Sequence, residues 1–295
     1  MASIYSTKLY STTLHTIRAM RKYLYVLLVS PILLIIPFTI AYAHPKQSQT
    51  VSTIHSGMNE RVSTIQIRKD GYIRVLFCTP TMPRGTIIMF PGGSGNIGLG
   101  KNGAIQHDHN FVVRTRRLWN RHGYAVVIPD TINHVNLRGQ RSSATYARLI
   151  QNIVAFTHKE ATAPVFLFGT SQGAIAAING AAHAVPKTIA GVVLSEAVSV
   201  MGGSKETVLS ATPQKVAVPV LIVANRDDQC NIAPPQAAQQ IASAMTASPK
   251  VQVFMVSGGI TKSKKNCGSL TPHGYFGIEN DVVGKVSAWL DTQPR

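Results

Sequence analysis

Gly169, Thr170, Ser171, Gln172 and Gly173 place a serine two residues from a glycine on either side. A serine hydroxyl becomes a nucleophile when a base takes its proton and when the backbone presents it away from the fold. A sharp strand-to-helix turn achieves the second condition, and the spacing suits it, because the two backbones approach closely there and tolerate little beyond glycine. Val165 to Phe168 forms an apolar run of strand length before the motif, and Ala174 to Ala182 a run of small, helix-compatible residues after it. In a chain with 23 glycines the same five residues also fit a plain glycine-rich turn. The strand and helix context favours the nucleophile.

The surrounding elements alternate. Ser63 to Arg68 and Tyr72 to Cys78 flank Lys69, Asp70 and Gly71, which predicts two antiparallel strands and a tight turn. Strands are then expected at Thr86 to Phe90, Tyr124 to Pro129, Val165 to Phe168, Ile189 to Ser195, Val220 to Ala224 and Val251 to Val256. Helices are expected at Phe111 to Arg121, Ser143 to His158, Ala174 to Ala182, Pro235 to Met245 and Val282 to Leu290. Such alternation implies βαβ crossovers, so the fold class is α/β, a mostly parallel sheet with helices on both faces.

This order, with GTSQG at a strand exit, resembles the α/β-hydrolase superfamily from about Ser63 to Leu290. The resemblance implies a triad running nucleophile, acid, histidine along the chain, with no cofactor and no metal. Ser171 comes first. The acid is expected after the strand ending at Ala224, where Asp227 is the choice, Asp228 the alternative, and Glu196 a less favoured acid after the preceding strand. Among ten histidines, His273 lies between the last strand and the last helix and is the expected base. The backbone N–H of Gln172 is the expected first oxyanion donor, and the second is expected from MFPGGSGNIG, with Gly93 first and Ser94 as the alternative. Pro91 stands where lipases and esterases often carry a histidine, which weakens any transfer of substrate class. A phosphate loop is disfavoured, because the glycine run lacks a GKS or GKT ending. His107 and His109 flank Asp108, a weak basis for a metal site.

Cys78 lies in the apolar strand YIRVLFC and is expected to be a buried free thiol, whereas Cys230 and Cys267 fall in loops beside Asp227 and His273. A Cys230–Cys267 disulfide is therefore predicted, pinning the acid loop against the histidine loop.

Lys8, Arg18, Arg21 and Lys22 precede an apolar run from Leu24 to Ile40 and the small-x-small pattern Ala41, Tyr42, Ala43. Residues 1 to 43 thus read as an export signal cleaved after Ala43, with Met20 a second candidate start and an uncleaved anchor the alternative. Cleavage takes the formal charge from +17 to +13. The mature chain stays basic, which bears on attraction to polyanions or anionic surfaces. No nucleic-acid motif accompanies it, and Arg114, Arg117 and Arg121 are expected on a solvated helix face. Residues 44 to 62 read as a flexible leader and 63 to 295 as a single domain, expected to be a monomer. The connection between Ser195 and Val218 is too short for a large helical lid, and Asp130 to Arg141 is expected to form one pocket wall.

Three functions fit these observations. The first is an exported serine hydrolase acting on a small-molecule or polymeric ester. The second is a peptidase or dienelactone-hydrolase-like enzyme with the same machinery, and the third a basic, non-catalytic polyanion binder. The triad residue types in the expected order argue against the third.

Overall fold

Six apolar segments lie side by side in the parallel part of the sheet, five of them buried along their whole length: β4 (Gly85–Phe90), β5 (Tyr124–Pro129), β6 (Val165–Thr170), β7 (Gly191–Ser195) and β8 (Val220–Asn225). Strands buried on both faces read as unbroken hydrophobic runs, which is why these were legible without alternation. The computed structural model describes residues 51–294 apart from 56, 57, 69 and 70. The expected export signal, its cleavage site and Met20 lie outside the described residues.

Among the described residues, nine strands form one sheet in the order β1-β2-β3-β5-β4-β6-β7-β8-β9. The remaining strands are β1 (Val51–His55), β2 (Met58–Arg68), β3 (Gly71–Thr79) and β9 (Val251–Val256). β4 to β9 run parallel, while β1, β2 and β3 pair antiparallel at one end, β3 joining β5. The stretch 44 to 62 is not simply a leader. Its residues 51–55 and 58–62 are strand, in register with one another, with Val51 opposite Val62 and His55 opposite Met58.

Side chains alternate between the two faces of the sheet. Val75, Phe77, Ile88 and Phe90 pack on one face, and Leu76, Cys78, Ile87 and Met89 on the other. The first face is covered by α3 (Ala144–Glu160), α4 (Gln172–Ala182) and α5 (Ala238–Ser243). The second is covered by α1 (Phe111–Arg114), α2 (Arg116–Arg121) and α6 (Glu279–Asp291). The single helix expected over 111–121 is two short ones. Thr115 divides them, its hydroxyl donating back to the Phe111 carbonyl at 2.6 Å, a bond that competes with regular helix geometry. The segment expected as a helix over 235–245 opens with a 3-10 turn before α5.

From β4 the chain crosses to β5 on one side and returns to β6 on the other. Such a reversal opens a crevice at the carboxyl ends of the strands, the usual location of a ligand site in an open α/β sheet. The Pro91 loop and Ser171 both leave the sheet there.

Candidate active site

Ser171 sits between the end of β6 and the first residue of α4 with φ 54° and ψ −122°. L-residues rarely adopt that conformation, and its strain is held by surrounding contacts. Its N–H donates to the Ser195 carbonyl at 2.8 Å, and its own carbonyl accepts from Ala174 at 3.0 Å. The flanking glycines are required by space. A β-carbon at Gly169 would lie 2.2 Å from the Gly173 carbonyl oxygen, and one at Gly173 would lie 2.1 Å from that of Phe90. The Gln172 N–H is the first of α4, where no intrahelical acceptor exists and the helix dipole favours negative charge.

His273 reaches Ser171 from a 3-10 turn, Pro272–Gly274. Its Nε2 is 2.9 Å from Ser171 Oγ, and its Nδ1 is 2.7 Å from Asp228 Oδ2. The ring is buried, and its backbone N–H donates to Thr271 Oγ1 at 3.1 Å. Gly274 permits the turn, since a β-carbon there would lie 2.1 Å from the Ser269 carbonyl oxygen. Asn225, at the end of β8, donates through Nδ2 to the carbonyls of Gly258 and Pro272, at 2.8 and 3.1 Å, and so ties the acid and histidine loops together.

The acid expected at Asp227 is placed elsewhere. Asp227 is exposed and its Oδ2 accepts the Gly258 N–H at 2.6 Å. Asp228 meets the histidine instead. The Asp228 N–H closes a turn onto the Asn225 carbonyl at 3.0 Å, and that turn sends consecutive side chains in different directions. Asp228 Oδ1 accepts the Cys230 N–H at 2.8 Å.

The disulfide joins Cys230 to Cys267 with their Cα atoms 4.6 Å apart. Cys78 is a buried free thiol, hydrogen-bonded to Asn120 Oδ1 and pushed up to about 12, first by burial and then by the negative charge of Glu60.

Glu196 follows β7 at φ 44° and is buried beside this group. Its Oε1 accepts the Asn225 N–H at 2.8 Å, while its Oε2 is buried without a hydrogen-bond partner. One oxygen from each carboxyl and one His273 ring nitrogen lie within 4.8 Å of one another. Burial pushes the Glu196 carboxyl well above the usual carboxylate range, and the charge of Asp228 pushes it further. His109 and Asp108, by contrast, are both exposed, 3.8 Å apart.

The glycine-rich loop after β4 passes directly over the serine. A β-carbon at Gly92 would lie 3.2 Å from Ser171 Cβ, and Gly93 takes the left-handed φ of 61° that glycine accommodates. Two residues that the sequence reading did not single out hold this loop. Asp130 accepts the Ile97 N–H at 2.9 Å and the Leu99 N–H at 2.8 Å. Buried Arg141 donates to the Gly93 carbonyl at 3.0 Å. Their only sequence signal is position, since both ends of the 130–141 loop carry charge. That loop does wall a cavity, of about 950 Å³, but the space lies toward α3, among Ile132, Leu137, Tyr146 and Leu149, and Ser171 does not line it. Between β7 and β8 the chain forms short 3-10 turns, Val208–Ala211 and Pro213–Lys215. Arg114 differs from expectation as well: it is partly buried, pairs with Glu279 at 3.0 Å and donates to the Gly274 carbonyl.

No family model matches the chain, and no curated protein matches it. Solved structures do. A dienelactone hydrolase from Anabaena variabilis matches with TM-score 0.58 at 16% identity, over 81% of this chain and 100% of that one. An S-formylglutathione hydrolase from Agrobacterium tumefaciens matches with TM-score 0.57 at 12% identity, over 81% and 98%. An esterase from Pyrococcus furiosus matches with TM-score 0.58 at 12% identity, over 79% and 91%. Together with the strand order and the elbow at Ser171, these similarities identify the architecture: the chain has the α/β-hydrolase fold.

Proposed function

We propose that this protein is an exported serine hydrolase that cleaves an ester or related acyl bond through an acyl-enzyme on Ser171. The observation that carries the reading is the continuous hydrogen-bonded path from Ser171 Oγ through His273 to Asp228, at 2.9 and 2.7 Å. Solved structures named as hydrolases and esterases support it at the level of fold.

The chemistry follows from the geometry. Ser171 Oγ attacks the acyl carbon while His273 Nε2 takes its proton, and Asp228 orients the ring and stabilises the imidazolium. The oxyanion receives hydrogen bonds from the N–H of Gln172 and, in this reading, of Gly93. A donor of this kind contributes on the order of 100-fold to 1000-fold in turnover. The tetrahedral intermediate collapses as His273 returns the proton to the departing alkoxide. Water then attacks the acyl-enzyme with His273 again as base, releasing the acid and restoring Ser171.

Export is supported by the Cys230–Cys267 bridge, which suits an oxidising compartment, and by the amino-terminal signal pattern. Among the described residues no helix is long and apolar enough to cross a membrane. One observation favours acyl groups bearing negative charge. A β-carbon at Gly93 would lie 3.6 Å from Nη2 of Arg138, which puts an exposed guanidinium beside the proposed oxyanion loop.

Labelling with a fluorophosphonate, alongside Ser171→Ala, tests the assignment. Wild type is expected to label and to hydrolyse p-nitrophenyl esters, and the variant to do neither. Folded wild-type protein that takes no label would refute it, and salt-sensitive polyanion binding without turnover would replace it.

A further inference from the structure

Behind His273 two carboxyl groups share one buried space, where electrostatics disfavours both being charged. Glu196 and Asp228 each place an oxygen within 4.8 Å of the other and of the His273 ring. Two like charges so close, away from water, repel strongly and favour the state in which one group keeps its proton.

The hydrogen bonds say which. Asp228 has a donor at each oxygen, Cys230 N–H at 2.8 Å on Oδ1 and His273 Nδ1 at 2.7 Å on Oδ2. An anion is stabilised by such donors. Glu196 Oε1 takes the Asn225 N–H, whereas Oε2 is buried with no donor of its own, since the neighbouring Tyr275 phenol donates its proton to the Val223 carbonyl at 3.0 Å. A bare anionic oxygen in that position would be costly, whereas a hydroxyl there becomes a donor seeking an acceptor. The positive φ at Glu196 strains the backbone at this point, and the Glu196 N–H is fixed by the Val223 carbonyl at 3.0 Å.

We propose that Glu196 is a positioning residue that keeps its proton and offers it to Asp228, so that the two carboxyls together present a single negative charge to His273. The proposal rests on reading Ser171, His273 and Asp228 as a working triad. The groups facing Glu196 are Asp228 and the Asn225 N–H from the β8 turn, and His273 and the Tyr275 phenol from the segment before α6. None is a lysine or arginine, so no permanent cation offsets a second negative charge. The desolvation already described for Glu196 acts in the same direction.

A single charge matters because an imidazole beside two carboxylates would hold a proton at rest and be unavailable as a base. With Glu196 neutral, His273 feels one carboxylate and stays free to accept the Ser171 proton. Glu196 is also a latent acid. Once Asp228 is removed, the repulsion that kept Glu196 protonated disappears, and raising the pH ionises it next to the ring.

Two measurements test this. Infrared difference spectra of wild type against Glu196→Gln at pH 7 are expected to show the carbonyl band of a protonated carboxylic acid in wild type alone. Absence of that band in wild type overturns the proposal. This readout needs no turnover, so a protein that proves not to be a hydrolase still leaves the proton assignment decided. The second measurement is the pH–rate profile of Asp228→Ala and of Asp228→Ala/Glu196→Gln on a p-nitrophenyl ester. The single variant is expected to gain about tenfold per pH unit as Glu196 ionises, while the double variant stays flat and at least about tenfold slower at the top of the range. A residue with a merely structural role would leave the two profiles parallel, and that result also overturns the proposal.

Discussion

The backbone N–H of Cys230 donates to Asp228 Oδ1 at 2.8 Å, so the residue that closes the disulfide also holds the carboxylate facing His273. From the other end of the bridge, Cys267 leads through Gly268, whose carbonyl accepts from Thr271 Oγ1 at 2.8 Å, to the hydroxyl that in turn receives the His273 N–H. Acid and base are thus joined by one short path of covalent and hydrogen bonds. Reducing the bridge is expected to lower kcat about tenfold while far-UV circular dichroism stays native. In the chain-entropy picture, opening a loop of 37 residues also costs about 4 kcal/mol of stability. Equal turnover of oxidised and reduced enzyme would show that the bridge does not organise the site.

Neighbouring aspartates should behave very differently. Asp228→Asn is expected to lower kcat by on the order of 10⁴, because the amide favours the wrong imidazole tautomer. Asp227→Asn removes only part of an exposed bond to the Gly258 N–H, and its effect is expected to stay within about threefold. Steady-state rates on a p-nitrophenyl ester separate the two. A larger loss at Asp227 would reverse the assignment made from the hydrogen bonds.

How much of this was legible in the sequence depended on the kind of signal. The elbow was legible because its glycines answer a local steric demand, and the central strands because burial on both faces leaves unbroken apolar runs. The hairpin of β2 and β3 announced itself through Lys69, Asp70 and Gly71. The choice between Asp227 and Asp228 was not legible: it is set by a turn whose closure onto the Asn225 carbonyl has no residue-type signature. Strand β1, VSTIH, is short and mixes apolar with polar residues without clean alternation, and its register against β2 defines it. Arg141 and Asp130 act on backbone groups far away in sequence, which no spacing rule reveals.

Asp130 offers a way to loosen the proposed oxyanion loop without touching the proposed triad. Its two oxygens hold the Ile97 and Leu99 amides, so Asp130→Ala leaves two buried N–H groups without that acceptor. The variant is expected to lose about 2 kcal/mol of stability or more. Its kcat should fall by roughly tenfold to 100-fold, as for a poorly placed oxyanion donor, with KM changing less. A fall in stability with kcat intact would mean that the loop does not contribute to turnover.

Glu196 gives the fold a pH dependence of definite sign. Its folded-state value is raised above the ordinary 4.5, so its contribution to stability is fully present below about pH 4.5 and is lost as pH climbs toward the raised value. Wild type should therefore lose stability relative to Glu196→Gln from about pH 4.5 upward, by up to about 1.4 kcal/mol per pH unit inside that window. Urea unfolding of both proteins at pH 5, 7 and 9 measures it. Stability curves that stay parallel would refute it. Cys78 and Tyr275, whose values are also raised, enter only above the ordinary thiol and phenol ranges of 9.0 and 10.0.

The state of the three cysteines also dictates how this protein should be handled at the bench. The one unpaired thiol, Cys78, is sealed in the interior and held in its unreactive protonated form, so maleimides and stray oxidation have nothing to capture on the intact molecule. Purification therefore needs no reductant, and adding one out of habit would attack the bridge that braces the acid and histidine loops. Cytosolic expression in a reducing host would start from the same disadvantage, whereas oxidative refolding has a single correct pairing among three. Accessible thiol in a preparation then serves as a direct count of molecules whose bridge is open or whose core has come apart.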